Sequence, residues 1–256
     1  GSWEFHLRVG LDNLSFQDPD GRFMGEKISI TENLDGKFRP AERLVNAITA
    51  LNIRTGEVLL DRFYFDLNRH GFSTAGTGRY RLPDRRLELT GLTLDLRDIL
   101  KITVRGGVVP ADTGLKTDLR VLIPAVPVYP LFEHFLLEPF KGEQPVLQEI
   151  GMGGNFSAEL DLKGSENQWN VLANLDWQNG ELVLKERDMA LRGFECRLPL
   201  WYQTRPAKGG KAPEGVLSVE EMRLPVLGPQ SFRMPLEAGP NSLTSLSPVV
   251  LEVPGG

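Results

Sequence analysis

The residue types that most often perform catalysis or bind metals are few in this chain and widely spaced. Its three histidines, His6, His70 and His134, lie far apart, and none has a partner at a metal-ligand spacing such as H-x₃-H. The single cysteine, Cys196, falls on the apolar side of an alternating segment, where a buried thiol behaves as a small hydrophobe. We therefore expect neither a metal site nor a cysteine nucleophile.

The glycine-rich motifs do not fit phosphate binding. The run at 151–154 (GMGG) precedes a strand pattern, whereas a phosphate cradle opens onto the N-terminus of a helix. The segment at 18–21 (DPDG) begins like a calcium loop but lacks the later ligands and the closing glutamate, so it predicts a turn. No G-x-S-x-G elbow is present. We predict that the chain is not an enzyme and binds no cofactor.

A group of aromatic residues suggests a different kind of site. Trp169, Trp177, Trp201 and Tyr202 could form a platform on which sugars stack. Trp169 and Trp177, however, share the apolar phase of one alternating segment, and packing in a core is the simpler interpretation.

Composition narrows the class of protein. With 256 residues, 41% hydrophobic and 25% charged, the chain is of the ordinary globular type. Its net charge of −5 argues against nucleic-acid binding, which needs a basic surface. No apolar run reaches the roughly 18 residues that a membrane span requires. We expect the sequence to be a piece of a longer protein.

Period-two alternation of apolar and polar residues dominates the chain and predicts antiparallel strands with one dry face. It is clear in 87–96, 156–163, 169–177, 194–200 and 232–236. Two segments break it. Residues 40–52 place Leu44, Ala47, Ile48 and Leu51 on one helical face, and residues 130–138 are bracketed by prolines. Both predict short amphipathic helices. The Gly- and Pro-rich stretch Arg205 to Gly215 predicts a surface loop.

An internal repeat links two of the strand patterns. Residues 78–92 match residues 180–194 at an offset of 102 without a gap, each with a strand, a polar turn and a short strand. Each copy breaks phase at a glycine, at Thr90-Gly91 and at Arg192-Gly193, which predicts a β-bulge or a bend between strand segments. We expect an N-terminal β segment at 1–39 and two helix-plus-β-ladder repeats at 40–125 and 126–256, together one continuous elongated unit.

This repeated pattern of alternating strands and polar turns resembles the AsmA-like family of bacterial envelope proteins, which includes the TamB and YdbH groups. The resemblance spans residues 40–256 and rests on 154–164 (GNFSAELDLKG), 175–184 (LDWQNGELVL) and 191–198 (LRGFECRL). It implies a strongly curved, mainly β fold (a β-taco or groove), a periplasmic location and a membrane anchor outside this sequence. The implied activity is the movement of phospholipid between membranes.

Two functional hypotheses follow. In the first, the chain binds or conducts phospholipid acyl chains along an apolar β groove, with membrane contact through other parts of the protein and with envelope proteins as possible partners. In the second, it is a closed β-sandwich-like structural, adhesion or carbohydrate-binding module. Under the first hypothesis the groove contains apolar strand residues, namely Phe63, Phe65, Leu67, Leu87, Leu89, Leu94, Leu96, Phe156, Leu160, Leu162, Val171, Leu175, Leu182 and Leu184.

Overall fold

A computed structural model of the chain describes residues 1–111, 114–205, 213–225 and 227–248. Strands dominate it. In chain order they are β1 (Trp3–Gln17), β2 (Phe23–Arg39), β3 (Leu44–Leu60), β4 (Phe63–Asp66), β5 (Phe72–Arg81), β6 (Arg86–Leu96), β7 (Leu100–Ala111), β8 (Gly114–Pro127), β9 (Ile150–Ser165), β10 (Gln168–Leu184), β11 (Met189–Gln203), β12 (Glu214–Leu224), β13 (Leu227–Gly239) and β14 (Ser242–Ser245).

The described strands form one antiparallel sheet of 14 strands, which confirms the predicted mainly β, antiparallel fold. Strand order follows the sequence from β1 to β14, and only the short β4 lies off the path, paired with β3. The chain divides into two compact units. Unit 1 comprises Gly1–Leu122 with Lys163–Glu166, and unit 2 comprises Ile123–Leu162 with Asn167–Gly256.

A β-bulge is present at both predicted phase breaks. In unit 1, Leu89 pairs with Gly78 and Gly91 pairs with Thr77, so Thr90 is the extra residue. Leu89 and Leu92 therefore point to the same face although they are three residues apart. In unit 2 the register shifts at Gly193, whose φ of 58° lies in the left-handed region that glycine adopts without strain.

One of the two predicted helices is present. An α-helical turn (α1, Val128–Phe132) runs into a π-helical stretch (Glu133–Leu137) and a last α-helical turn (α2, Glu138–Phe140). Two short 3-10 turns occur at Pro145–Glu149 and Lys185–Arg187. The segment 128–140 contains the expected helix at 130–138.

The helix predicted at 40–52 is wrong. Pro40 instead begins a tight turn in which the Arg43 amide donates to the Pro40 carbonyl at 3.2 Å. Arg39 pairs with Leu44 across that turn, and β3 runs on to Leu60. Neighbouring strands pair with β3 on both sides over this region, and pairing of this extent overrides a local helical spacing.

Two further expectations are corrected. The sheet is not strongly curled, so the β-taco curvature implied by the resemblance is not found. The two helix-plus-ladder repeats are not supported either, because a strand stands where the first repeat needs its helix. The loop predicted at Arg205 to Gly215 lies largely outside the described residues.

Few side chains are deeply buried. In unit 1 the buried apolar residues are Ile28, which lies within β2 beside a register shift, and Leu67 and Ile99, which lie in turns. In unit 2, buried apolar residues include Phe132 and Val219. A sheet built this way keeps most of its apolar side chains at intermediate or high exposure.

Candidate functional site

The strand register of unit 1 sorts its side chains onto two faces, because residues paired across antiparallel strands point the same way and alternate residues share a face. The face that contains Ile53 also contains the odd positions 3–11 of β1, the even positions 30–38 of β2, the odd positions 45–53 of β3, the even positions 72–80 of β5, positions 87, 89, 92, 94 and 96 of β6, and the even positions 100–108 of β7. We call this set the apolar face. Glu32 is its one charged member.

The opposite face of the same strands is polar, and cross-strand ion pairs run along it. Lys37 Nζ lies 2.9 Å from a Glu4 carboxylate oxygen, and this hydrogen bond lowers the pKa of Glu4 below its ordinary value. His6 Nδ1 lies 2.5 Å from Asp35 Oδ1. These side chains are exposed, so each pair contributes little to stability. Their presence fixes which face of the sheet is hydrated.

Large side chains on the apolar face are open to solvent at several points. Trp3 is 71% exposed and Leu7 is 53% exposed on β1, and Leu87 is 37% exposed on β6. A sheet face packed against a second layer buries such residues. Exposed apolar surface of this extent usually marks a binding surface.

The apolar face deepens into a pocket of about 460 Å³ at the end of β5, β6 and β7. Its volume lies within the range of roughly 300–1,000 Å³ that is usual for ligand sites. Ile53, Phe72, Leu96 and Leu100 form a continuous cross-strand row along its floor. The lining is entirely apolar and comprises Ile53, Val58, Leu60, Phe65, Leu67, Phe72, Leu94, Leu96, Leu100 and Ile102.

The hairpin of β3 and β4 supplies one side of this pocket, and Asn68 holds it in place. The Asn68 side chain accepts a hydrogen bond from the Gly56 amide at 3.2 Å and donates one to the Gly56 carbonyl at 3.4 Å. Asp66 Oδ1 accepts bonds of 3.0 Å from both the backbone and the side-chain N–H of Asn68. The Asn68 bonds, led by the side-chain one, lower the pKa of Asp66. Polar groups therefore close this turn.

Four of the predicted groove residues of unit 1 come together in this pocket: Phe65, Leu67, Leu94 and Leu96. Leu87 and Leu89 lie farther along β6 on the same apolar face. Phe63 begins β4 and pairs with Leu60, a lining residue.

Six lining residues were not predicted: Ile53, Val58, Leu60, Phe72, Leu100 and Ile102. Ile53 and the alternating positions before it lay in or beside the segment interpreted as a helix. A readable signal was present, since Val45, Ala47, Thr49, Leu51 and Ile53 alternate without a break. Leu100, Ile102 and Val104 alternate in the same way.

Unit 2 has an apolar face of its own, described here by itself. Val171, Leu175, Leu182 and Leu184 point to one face of β10, because their partners Tyr202, Leu198, Leu191 and Met189 follow the same alternation on β11. The remaining predicted residues, Phe156, Leu160 and Leu162, occupy alternate positions of β9.

The aromatic and thiol side chains of unit 2 pack rather than converge on a site. Trp177 and Phe194 meet edge to face with ring centroids 4.9 Å apart. Cys196 pairs with Trp177 on the same face, and burial, with a smaller contribution from Asp176, raises the pKa of its thiol. Trp201 pairs with Leu172, on the opposite face from Trp177, so the tryptophans do not form one platform.

The histidines lie in three separate environments. His70 is 8% exposed, with Nδ1 3.3 Å from the Arg97 carbonyl oxygen, and His134 Nδ1 lies 3.0 Å from the Pro130 carbonyl oxygen. Within the described ranges no group of three or more His, Cys, Asp or Glu residues could hold a metal ion. Over the same residues, no helix has the length and apolar character needed to cross a bilayer.

Comparison of the chain with protein-family models, with curated proteins and with solved structures returned no match.

Proposed function

We propose that this chain binds phospholipid acyl chains on the apolar face of unit 1, as a segment of an envelope protein that conducts lipid between membranes. The observation that carries the proposal is an apolar sheet face with exposed large side chains, deepening into a pocket lined only by apolar residues. We propose no catalytic step for the chain. We further propose a periplasmic location and membership of the AsmA-like family, which the resemblance at 154–164, 175–184 and 191–198 supports.

The energetics of acyl-chain burial favour such a surface. Each CH₂ group removed from water contributes about 0.8 kcal/mol, so a chain of roughly 16 carbons gains on the order of 12 kcal/mol in full contact. A bilayer offers most of the same gain. A surface that exchanges lipid with a bilayer should therefore provide even aliphatic contact, and leucine is the residue that recurs along β6 at positions 87, 89, 92, 94 and 96.

Site-specific photo-crosslinking in cells tests the proposal with a matched pair of positions. A benzophenone amino acid replaces Leu94, which lines the pocket, or its neighbour Thr93, which points to the opposite face. We expect lipid adducts, identified by mass spectrometry of the purified chain, from position 94 and not from position 93.

Two outcomes would count against lipid binding. One is the absence of lipid adducts from position 94 in a protein that is folded by circular dichroism. The other is equal labelling at positions 93 and 94, which would indicate contact with detergent or bulk membrane rather than with the apolar face.

A further inference from the structure

Strand β1 is an open edge of the sheet in unit 1. Within the described residues it pairs with β2 alone, and all 15 of its residues are exposed. An edge strand directs every second pair of N–H and C=O groups away from its sheet, where these groups can bond to a further strand. β1 therefore presents a row of backbone donors and acceptors to any strand that approaches this edge.

β1 lacks the residues that usually protect an edge from pairing. Its sequence, WEFHLRVGLDNLSFQ, contains neither proline nor lysine, and its register with β2 is unbroken from Trp3 to Leu11. The first irregularity follows Leu11, where the register shifts and Asn13 has a φ of 57°. Long, regular, apolar edges without such protection pair readily with another chain. The stretch 3–11 is therefore suited to accept a strand.

The two faces of β1 restrict how a second copy of the chain could be added. Apolar residues occupy the odd positions from Trp3 to Leu11, and Glu4, His6 and Arg8 lie on the polar face. Residues directly opposite each other in an antiparallel pair point to the same face. Even-numbered residues must therefore oppose even-numbered residues, because a slip by one residue would bring apolar side chains to the polar face.

Charge selects one register among those that remain. A two-fold axis at His6 places Glu4 of each copy opposite Arg8 of the other, so two ion pairs cross the new boundary. Axes at positions 5, 7, 8 and 9 bring no carboxylate opposite Arg8. An axis at Gly10 brings Asp12 there, but it runs the pairing into the irregular part of β1. Arg8 forms no ion pair within the described ranges, so its guanidinium is available.

The same register matches the apolar side chains. Phe5 of each copy lies opposite Leu7 of the other, and Trp3 lies opposite Val9. These four residues are 37–71% exposed in a single chain. Pairs of an aromatic with a β-branched residue are among the more favourable cross-strand pairs. Pairing of two copies therefore covers apolar surface that one copy leaves open.

We propose that two copies of this chain pair antiparallel through β1, about a two-fold axis at His6 and over residues 3–9. Because paired residues share a face, the apolar faces of the two copies of unit 1 lie side by side on the joined sheet. The pairing does not depend on what the apolar face binds, and it goes beyond the proposed function by naming a partner for this edge.

Analytical ultracentrifugation of the unmodified chain measures the association. We expect a monomer–dimer equilibrium with a dissociation constant on the order of 10 μM, because a contact of about seven residue pairs is at the small end of specific interfaces. A chain that stays monomeric up to about 300 μM overturns the proposal and leaves this edge to a strand of different sequence.

Two charge reversals test the register. Arg8→Glu and Glu4→Lys each place like charges opposite each other in a homodimer, so each variant alone should associate about ten-fold or more weakly than the unmodified chain. A mixture of the two variants restores both opposite-charge pairs and should form a heterodimer of about the original affinity. Asp12→Lys, on the same edge but beyond the paired stretch, is the matched control and should leave the affinity unchanged.

These substitutions concern exposed side chains, and circular dichroism checks that each variant is folded. Unchanged affinity of both reversed variants, or a mixture that does not associate, overturns the register at His6. Weakening by Asp12→Lys alone also overturns it, because that result requires the axis at Gly10.

Disulfide formation gives a second measurement in a Cys196→Ala background. In the proposed register His6 faces its own copy, so His6→Cys should form an inter-chain disulfide on mild oxidation. Gly10 lies roughly 26 Å from its copy, at about 3.3 Å for each of eight residues. A side chain at Gly10 meets no atom within 4 Å, so Gly10→Cys is a matched control that should stay reduced. Equal cross-linking at both positions, or none at His6 in a chain that dimerises, contradicts the proposed pairing.

Discussion

Replacing Leu7 with glutamate tests whether the apolar face of unit 1 is uncovered. Leu7 is 53% exposed and pairs with Leu34 across β1 and β2. Full burial of a leucine is worth about 1.5–3 kcal/mol, so the half that remains in contact accounts for about 1 kcal/mol. The new carboxylate stays hydrated at this exposure, and the weaker strand propensity of glutamate adds up to about 1 kcal/mol. We expect Leu7→Glu to lower the free energy of unfolding by about 1–2 kcal/mol.

Ile99→Ala provides the comparison within the same unit. Ile99 is 2% exposed in the turn between β6 and β7, where its amide donates to the Leu96 carbonyl at 3.0 Å. Truncation of a buried isoleucine to alanine costs about 2–5 kcal/mol because it leaves a cavity. We therefore expect Ile99→Ala to be the more damaging change, although it introduces no charge.

Urea unfolding followed by circular dichroism measures both variants, and hydrogen exchange of the β1 and β2 amides reports the local effect at Leu7. The reasoning fails if Leu7→Glu destabilises the protein as much as Ile99→Ala or more. A loss of that size would mean that the glutamate carboxylate enters a dry environment, as in a closed sandwich.

Three smaller predictions concern individual groups. Asn68→Ala removes the hydrogen bonds to Gly56 and Asp66, so it should speed hydrogen exchange of the Gly56 amide and lower the melting temperature slightly. The folded-state pKa of Asp66 lies below its ordinary value of 3.8, so the ionised carboxylate stabilises the fold fully above pH 3.8, and this contribution is lost as the pH falls through the folded-state pKa. NMR titration of the Asp66 carboxyl group should therefore give a midpoint below 3.8. A midpoint at or above 3.8 would contradict the hydrogen bonds from Asn68. Burial raises the pKa of Cys196 above 9.0, so its alkylation by iodoacetamide at pH 8 should be much slower in the folded protein than in urea, whereas equal rates would show that the thiol is not shielded.

Alternation was sufficient to predict strands at 87–96, 156–163, 169–177, 194–200 and 232–236 because a strand with one polar and one apolar face alternates in this way. The polar residues between Leu92, Leu94 and Leu96 point to the opposite face, and the bulge at Thr90 brings Leu89 and Leu92 onto the same face. Alternation and its phase breaks involve residues that are close in the sequence, so they can be recognised from the sequence alone.

The helix at 40–52 was wrongly predicted because the apolar residues of this segment fit both helical and strand spacing. Leu44, Ala47, Ile48 and Leu51 have helical spacing, while Val45, Ala47, Thr49, Leu51 and Ile53 have strand spacing. The choice depends on β2 and β5, which pair with both edges of β3. These pairing strands lie outside residues 40–52, so the segment alone does not determine whether it forms a helix or a strand.

The candidate site could be predicted only in part, for a similar reason. Membership of the apolar face follows from alternation, but the pocket depends on where strands end. Phe65 and Leu67 reach Leu94 and Leu96 because the β3–β4 hairpin lies beside the ends of β5, β6 and β7.

The order of the strands has a consequence for how each unit assembles. From β1 to β8, each strand on the main path pairs with the next strand on that path, so each of these pairings closes a short loop, whereas residues 128–149 separate β8 from β9. Pairings of this kind have low contact order and favour rapid formation, strand upon strand, as in a zipper. Loss of structure should proceed the same way, starting with an end strand such as β1, whose residues are all exposed. Because β1 carries Trp3 and Leu7 of the apolar face, opening of this edge strand would remove part of that face from the sheet.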